Sequence, residues 1–535
     1  MSDEDVMAQL EEVLEDFLSP TASAPYQFCD RYPADSAAFR IVDRSLEESV
    51  LTFGQLARRS RRIATVLHEA GVGPGDRVAT LMGKSADLPA VILATWRLGA
   101  VYLPLFTAFA HGAVSDRLVR AEAKAIVADE AQISKIPEGA WTVFVAGTPT
   151  AAGPQSLADL VEASPEWTEE APTGPEVPLV HIFTSGTTGK PKTVVHPKLH
   201  AAGWCSYLKF GIGADQDAVF WCAADPGWAY GLYTGILAPL ALGRTSLLTL
   251  GTFNPGTTWE ILERYQVTHF AAAPTALRAM KADGGERPLP ALAHVSCAGE
   301  PLTPDVLAWT TGLAFPAHDH FGQTELGMVA GFPHHASLAV PVEPHAMGRA
   351  FPGWSTAVLS LDADEPADSG AVGRFAVDVP NSPFFTFTGY GTGRDEDGSR
   401  FVGGGKYFVT GDLAENDESG LLRFSSRDDD VILMAGYRIG PYDVESSLLA
   451  HPAVQEAVVV AAPDELRGEI IHAFVVVAPG VEGTPELVSE LQEWVKADYA
   501  AHAFPRRIDF IDSLPKTESG KVRRSELRRR LQERQ

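Results

Sequence analysis

The sequence predicts an α/β protein: a large N-terminal domain of layered α/β subdomains plus a β-rich subdomain, then a small C-terminal α+β domain. Three observations predict this class. Between about residues 50 and 330, short β-branched or aromatic runs alternate with longer helical patterns. Between about 347 and 425 glycine becomes frequent and the strand-like runs shorten. After Arg427-Asp-Asp-Asp430 the pattern changes again, and about a hundred residues remain, ample for a separate domain. The predicted division is 1–428 and 429–535.

In order, Val78–Met82 reads as a strand, Ser85–Leu98 as a helix and Val101–Leu105 as a strand. Strand-like Ala218–Ala223 precedes a helical Gly231–Leu242 and a strand at Thr245–Leu250. Thr268–Ala272 precedes a helical Pro274–Lys281, and His294–Ala298 precedes a helix that Thr303 would cap and Pro304 would open. Such alternation implies largely parallel sheets, whose ligands bind beyond the carboxyl ends of the strands. In the C-terminal domain, Ala457–Ala462 and His472–Val477 read as strands among three helical segments, one being Pro485–Val495 behind Thr484. The basic run Arg523–Arg534 reads as a helix with a solvated face, not a nucleic-acid site.

Composition narrows the function. At 535 residues the chain exceeds one ordinary core, and 45% hydrophobic with 21% charged residues marks a folded globular protein. Lys and Arg number 43 against 69 Asp and Glu, a formal charge of −26 that repels nucleic acid and anionic membranes. Cys29, Cys205, Cys222 and Cys297 have no CxxC spacing and read as buried thiols in a reducing compartment. The acidic Met1–Asp5 begins no apolar run, and the longest apolar stretch, Leu88–Ala110, is broken by Arg97, Gly99 and Pro104. A cytoplasmic protein is expected, with neither nucleic acid nor membrane as partner.

The most informative segment is Thr184-Ser185-Gly186-Thr187-Thr188-Gly189-Lys190-Pro191-Lys192, directly after the apolar run Val177–Phe183. Its glycines let backbone N–H groups face an anion, its hydroxyls donate further bonds, and Lys190 and Lys192 supply charge. These are the parts of a polyphosphate cradle, although the same residues serve in plain polar turns. It is not a Walker A loop, because Gly186 and Gly189 are too close and Pro191 follows Lys190. Downstream, Asp319-His320-Phe321-Gly322-Gln323-Thr324-Glu325 ends a predicted strand with carboxylates, a hydroxyl and an aromatic ring. Tyr407-Phe-Val-Thr-Gly-Asp412 places an acid at another strand end, Arg438 lies in Ala435–Gly440, and Lys521 closes Pro515–Lys521. Each fragment alone is weak, since acids and arginines at strand ends are commonly solvated or paired. Their joint order is the signal.

In these motifs, with Gly299-Glu300-Pro301-Leu302 and Ala435–Pro441, the chain resembles the acyl-adenylate-forming enzymes: acyl- and aryl-CoA synthetases, adenylation domains and firefly luciferase. The resemblance runs from about residue 50 to 528 and is nearest the acetyl-CoA and medium-chain acyl-CoA synthetases. It implies that a carboxylate attacks the α-phosphorus of ATP, expelling pyrophosphate, and that coenzyme A then displaces AMP. By the same resemblance, Thr184 to Lys192 would hold the β- and γ-phosphates, Thr324 the α-phosphate and Glu325 a Mg²⁺ ion. Gly299, Glu300, Pro301, Asp319, His320, Phe321, Gly322 and Gln323 would form the nucleotide pocket, with Phe321 stacking on adenine. Asp412 would accept the ribose hydroxyls, Arg427 would steady the ribose, and Arg438 would stabilise phosphate. Lys521 would reach the carboxylate and α-phosphate in the first half-reaction. The small domain would then rotate about Asp429, bringing the face with Gly436 to the pantetheine tunnel. Acetylation of Lys521 would switch the enzyme off, which implies an acetyltransferase and a deacetylase as partners.

The acid is less legible. Trp228, Ala229, Tyr230, Ala298 and Gly322 are the wall candidates, and the acetate enzymes carry Trp where this chain has Gly322. The expectation is a deeper pocket for a short-to-medium-chain or aryl acid, with acetate poor. The alternatives are a stand-alone adenylation enzyme loading a carrier protein in trans, an acetyl-CoA synthetase, or a luciferase-like oxygenase. A non-catalytic nucleotide sensor is a further alternative. A hydrolase is disfavoured because no G-x-S-x-G occurs, and a zinc enzyme built on His318, His320, His334 and His335 because the spacing fits no ligand set.

Overall fold

The computed structural model describes residues 3–147, 154–184, 191–391, 400–434, 437–464, 468–500, 502–516 and 522–533, with backbone only at 3, 429, 437, 438, 468, 532 and 533. Ser185, Gly186, Thr187, Thr188, Gly189, Lys190, Gly436 and Lys521 lie outside these residues.

Among the described residues, one sheet runs Gln155–Ser156, Thr142–Ala146, Ala123–Asp129, Arg77–Leu81, Val101–Pro104, Pro178–Phe183, Thr193–Pro197, and only its last pair is antiparallel. A second sheet has a parallel centre of Ala317–Gln323, His294–Ala298, His269–Ala272, Phe220–Cys222, Ser246–Thr249 and Ala37–Val42. The expected strands are therefore present and parallel. The glycine-rich region is not a detached layer, however. Gly327–Gly331 and Ala346–Ala350 continue the parallel ladder antiparallel and join it to Leu422–Arg427 and Tyr407–Asn416.

Local chemistry sets the helices. Phe53–Glu69 opens with a reciprocal box between Thr52 and Gln55, and Pro255–Arg264 opens where the Asn254 side chain accepts from Thr257 N. Thr303 departs from expectation: Pro304–Gly312 is helical, but the Thr303 hydroxyl makes no cap bond and is buried without a partner among the described residues. The helical Gly231–Leu242 run is instead Ala229–Leu232, a π-helical Tyr233–Leu237 and Ala238–Ala241, and another π turn spans Tyr207–Gly211. Such widened turns recur at functional sites because they re-aim one side chain.

Residues 432–531 supply a core of their own, including Ile432, Val459, Phe474, Leu491 and Leu527. Three helices, Pro441–Leu449, Pro485–Asp498 and Arg524–Glu533, cover its sheet. The last is not simply a solvated basic face. Leu527 and Leu531 are buried, Arg524 donates to Glu445 (2.6 Å), and Arg528 pairs with Asp430. Tyr442 touches the rest of the chain: its hydroxyl donates to Leu302 O (3.0 Å) beside Phe424 and His345.

Candidate functional site

Several of the sequence-predicted residues, among them Ala298, Gly299, Asp319 and Phe321, lie near the carboxyl ends of the parallel strands of the second sheet. Strand pairing sets Ala298, the last residue of its strand, opposite His320, so Gly299 follows beside Phe321, whose own strand runs on to Gln323. Asp319 accepts from Leu302 N (3.2 Å), and burial raises its carboxyl to about 7. Phe321 is half-buried and meets Phe375 edge-on. Glu300 differs from the expectation for its side chain. Its carboxylate accepts from Thr275 N (2.9 Å), the Thr275 hydroxyl and Arg278 (2.6 Å), so its oxygens hold the Pro274–Asp283 helix in place. Any role of Glu300 in a nucleotide pocket falls to its backbone.

The β-rich strands approach from the other side. Register places Asp412 opposite Arg427, and Asp412 accepts from Arg427 Nη1 (3.0 Å) and Gln323 Nε2 (2.8 Å). Gln323 also donates to Thr410 O (2.9 Å), while its own Oε1 is buried without a partner among the described residues. Burial raises the Asp412 carboxyl against the opposing pull of Arg427.

The base of the 184–192 loop is closed by Thr184 N donating to Lys192 O (2.8 Å). Lys192 Nζ lies 4.4 Å from the centre of the Tyr390 ring, and the Tyr390 hydroxyl donates to Glu325 Oε1 (2.6 Å). The loop and Glu325 therefore share one aromatic post that the motifs do not reveal. Glu325 is buried, and Tyr390 engages one of its oxygens here, so an oxygen remains for a hard cation such as Mg²⁺. Thr324 is held from below: His196 Nε2 donates to its carbonyl (2.7 Å), and Tyr233 donates to His196 Nδ1 (2.9 Å). Burial drops His196 to about 4, so the imidazole is neutral.

The wall candidates divide into two groups. Trp228 packs with Phe106 and Phe109 in one cluster, whereas Ala229, Tyr230 and Ala298 belong to another with Trp204, Tyr207 and Met328. Gly322 does not leave the void expected of it. A Cβ there would overlap the Gly327 carbonyl and lie 2.6 Å from the Met328 sulfur, so Met328 fills that direction. His320 faces this wall through Tyr207, not the nucleotide strands. Arg438 is placed by its backbone in Tyr437–Ile439, opposite Leu433, and Asp429 lies in the Asp428–Asp430 turn. His318, His320 and His334 do converge, with ring nitrogens within 4.8 Å. The His318 and His334 rings are stacked at 3.6 Å and 13°, so their lone pairs lie in near-parallel planes and do not meet at one ion.

Residues 26–390 match the family model described as AMP-binding enzyme, and 443–521 match its C-terminal domain. The chain belongs to the AMP-binding enzyme family. The acetyl-coenzyme A synthetase of Bacillus subtilis (strain 168) is 35% identical over 95% of this chain and 90% of its own. A crystal structure of a Brucella canis acyl-CoA synthetase is 39% identical, covers 100% of this chain and 99% of that one, and superposes with a TM-score of 0.76. A benzoate CoA ligase from Burkholderia xenovorans LB400 is 26% identical over 94% and 99%, with a TM-score of 0.81. Within this family the protein is an AMP-forming acid–CoA ligase, with ATP, coenzyme A and a carboxylic acid as its small-molecule substrates. Among the described residues, no helix is long and apolar enough to cross a membrane.

Proposed function

We propose that the two faces of this site divide the ligase reaction. The pairing of Asp412 with Arg427 and Gln323, beside Glu325 on Tyr390, is the observation that carries the reading. Asp412 takes the ribose hydroxyls and Arg427 fixes its carboxylate. Asp319 accepts from the adenine amino group, Phe321 stacks on the ring, and Gly299 to Pro301 complete the pocket with backbone. Thr184 to Lys192 hold the β- and γ-phosphates, and Thr324, seated on His196, donates to the α-phosphate. Glu325 is the residue to hold Mg²⁺, which when bound neutralises phosphate charge. Attack by a carboxylate on phosphorus needs charge neutralisation more than covalent help, and Lys521 and Arg438 supply the remaining cations. Rotation of residues 429–535 about Asp429 then exchanges Lys521 for the face with Gly436, where the coenzyme A thiol enters.

The acid we assign is an uncharged short-to-medium-chain or aryl acid larger than acetate. A wall of Trp204, Ala229, Tyr230, Ala298 and Met328, none of which carries a charge, supports an acyl portion without charge. Because Met328, not open space, occupies the Gly322 direction, pocket depth rests on a flexible thioether. The likeness to an acetyl-coenzyme A synthetase supports acetate as a second reading. Release of AMP with free coenzyme A, compared with phosphopantetheinylated carrier proteins, tests the acceptor. A carrier protein outcompeting free coenzyme A would replace this reading with trans-loading.

A further inference from the structure

The acyl wall contains a hydrogen-bond chain whose direction is set by its inner end. The Phe332 carbonyl can only accept, and it takes bonds from His318 Nδ1 (2.8 Å) and His320 Nε2 (2.9 Å). His320 therefore carries its proton on Nε2 and presents Nδ1 as a bare acceptor. The Tyr207 hydroxyl lies 2.7 Å from that nitrogen and donates to it. The same hydroxyl is 3.1 Å from that of Tyr230. Because the single Tyr207 proton is engaged, Tyr230 must donate to Tyr207. His320 and Tyr207 are 2% and 1% exposed, and burial pulls the imidazole down to about 3, so a second proton does not arrive to reverse the chain. Tyr207 is aimed by the π turn it opens, and a Cβ at Gly211 would overlap its ring.

We propose that Tyr230 offers the acyl group a hydrogen-bond acceptor and no donor, so that the preferred acids carry a hydroxyl or N–H group on the acyl portion. This rests on the reading that Tyr230, Ala298 and Met328 border the acyl group. A hydroxyl or N–H at that depth meets the Tyr230 lone pairs. An ether, a carbonyl or a second carboxylate there faces lone pair to lone pair, and dicarboxylic acids are therefore poor substrates.

The test is ATP–pyrophosphate exchange by the full-length enzyme on matched acids that differ by hydroxyl, methyl or methoxy. The series covers aliphatic chains of increasing length and the meta and para positions of benzoate. At the matching length, the hydroxy acid is expected to exceed its methyl partner in kcat/KM by about tenfold, with the methoxy acid last. Tyr230→Phe brings hydroxy and methyl acids level. Tyr207→Phe frees the Tyr230 proton to point at the substrate, so the methoxy acid rises above the methyl acid. Equal rates for hydroxy and methyl acids at every length, or a methoxy preference in the unsubstituted enzyme, would overturn the chain while leaving the ligase reading standing. Exchange with no acid at all would remove the ligase reading and this proposal with it.

Discussion

The proposed nucleotide face and the proposed acyl face adjoin along the strand Ala317–Gln323, yet they are built from different materials. The nucleotide face is made of charges held by partners: Asp412 by Arg427 and Gln323, Glu325 by Tyr390, and Glu300 by Arg278. The acyl face is made of neutral rings, with Tyr207, Tyr230 and an uncharged His320 linked through hydroxyls and packed on Trp204. A phosphate site must stabilise the same developing charge whatever the acid, so its residues are set by the reaction. An acyl pocket discriminates by shape and by a few polar atoms, so its residues are set by packing. Substitutions on the first face should therefore damage every acid alike, and those on the second should re-rank the acids.

The largest expected effect is at the one proposed catalytic cation that works in a single half-reaction. Lys521→Ala should lower adenylate formation by about a thousandfold or more while sparing thioester formation from supplied acyl-AMP. Equal loss of both halves in single-turnover assays would break the assignment. Next, Asp412→Asn should reduce kcat/KM for ATP by about a hundredfold, for every acid in the same ratio. A change in acid ranking would blur the distinction between the faces.

Acidity gives a smaller, graded effect. The Asp319 carboxyl titrates at about 7, well above an ordinary aspartate, so the folded chain keeps a proton that the unfolded chain has released. Its contribution to stability is therefore full below about pH 4 and is lost as pH rises toward 7. Accepting from the adenine amino group favours the carboxylate, because a charged acceptor binds more strongly than the carbonyl oxygen the protonated form keeps. KM for ATP should rise several-fold as pH falls through about 7, and Asp319→Asn should flatten the profile. A steep profile surviving in that variant would assign the titration elsewhere. The smallest effect is at Met328→Ala, which should shift kcat/KM several-fold toward longer or bulkier acids and leave KM for ATP unchanged.

The same contrast explains what could be read from the sequence. The alternating strands and helices and the separate C-terminal core follow from local patterns, because each is written in contiguous residues, whereas Asp319, Phe321 and Asp412 lie inside Ala317–Gln323 and Tyr407–Asn416 and not at the strand ends the motifs suggest. Tyr390 beneath Lys192 and Glu325 carries no such signal, since two distant loops must fold before its ring has a neighbour. Met328 defeated the inference from Gly322 because a bulge in the antiparallel pairing, not the missing side chain, decides what fills the space. Tyr207 and Tyr233 owe their aim to π turns, which ordinary helical periodicity does not announce.

The most direct test of the two-face account is ATP–pyrophosphate exchange without coenzyme A across a panel of acids, from acetate through medium-chain to aryl and dicarboxylic acids. Exchange is expected to need an acid but no thiol, with the highest kcat/KM for an acid larger than acetate whose acyl portion is uncharged and a common KM for ATP. The highest kcat/KM for acetate or a dicarboxylic acid, or no exchange until coenzyme A is added, would contradict it.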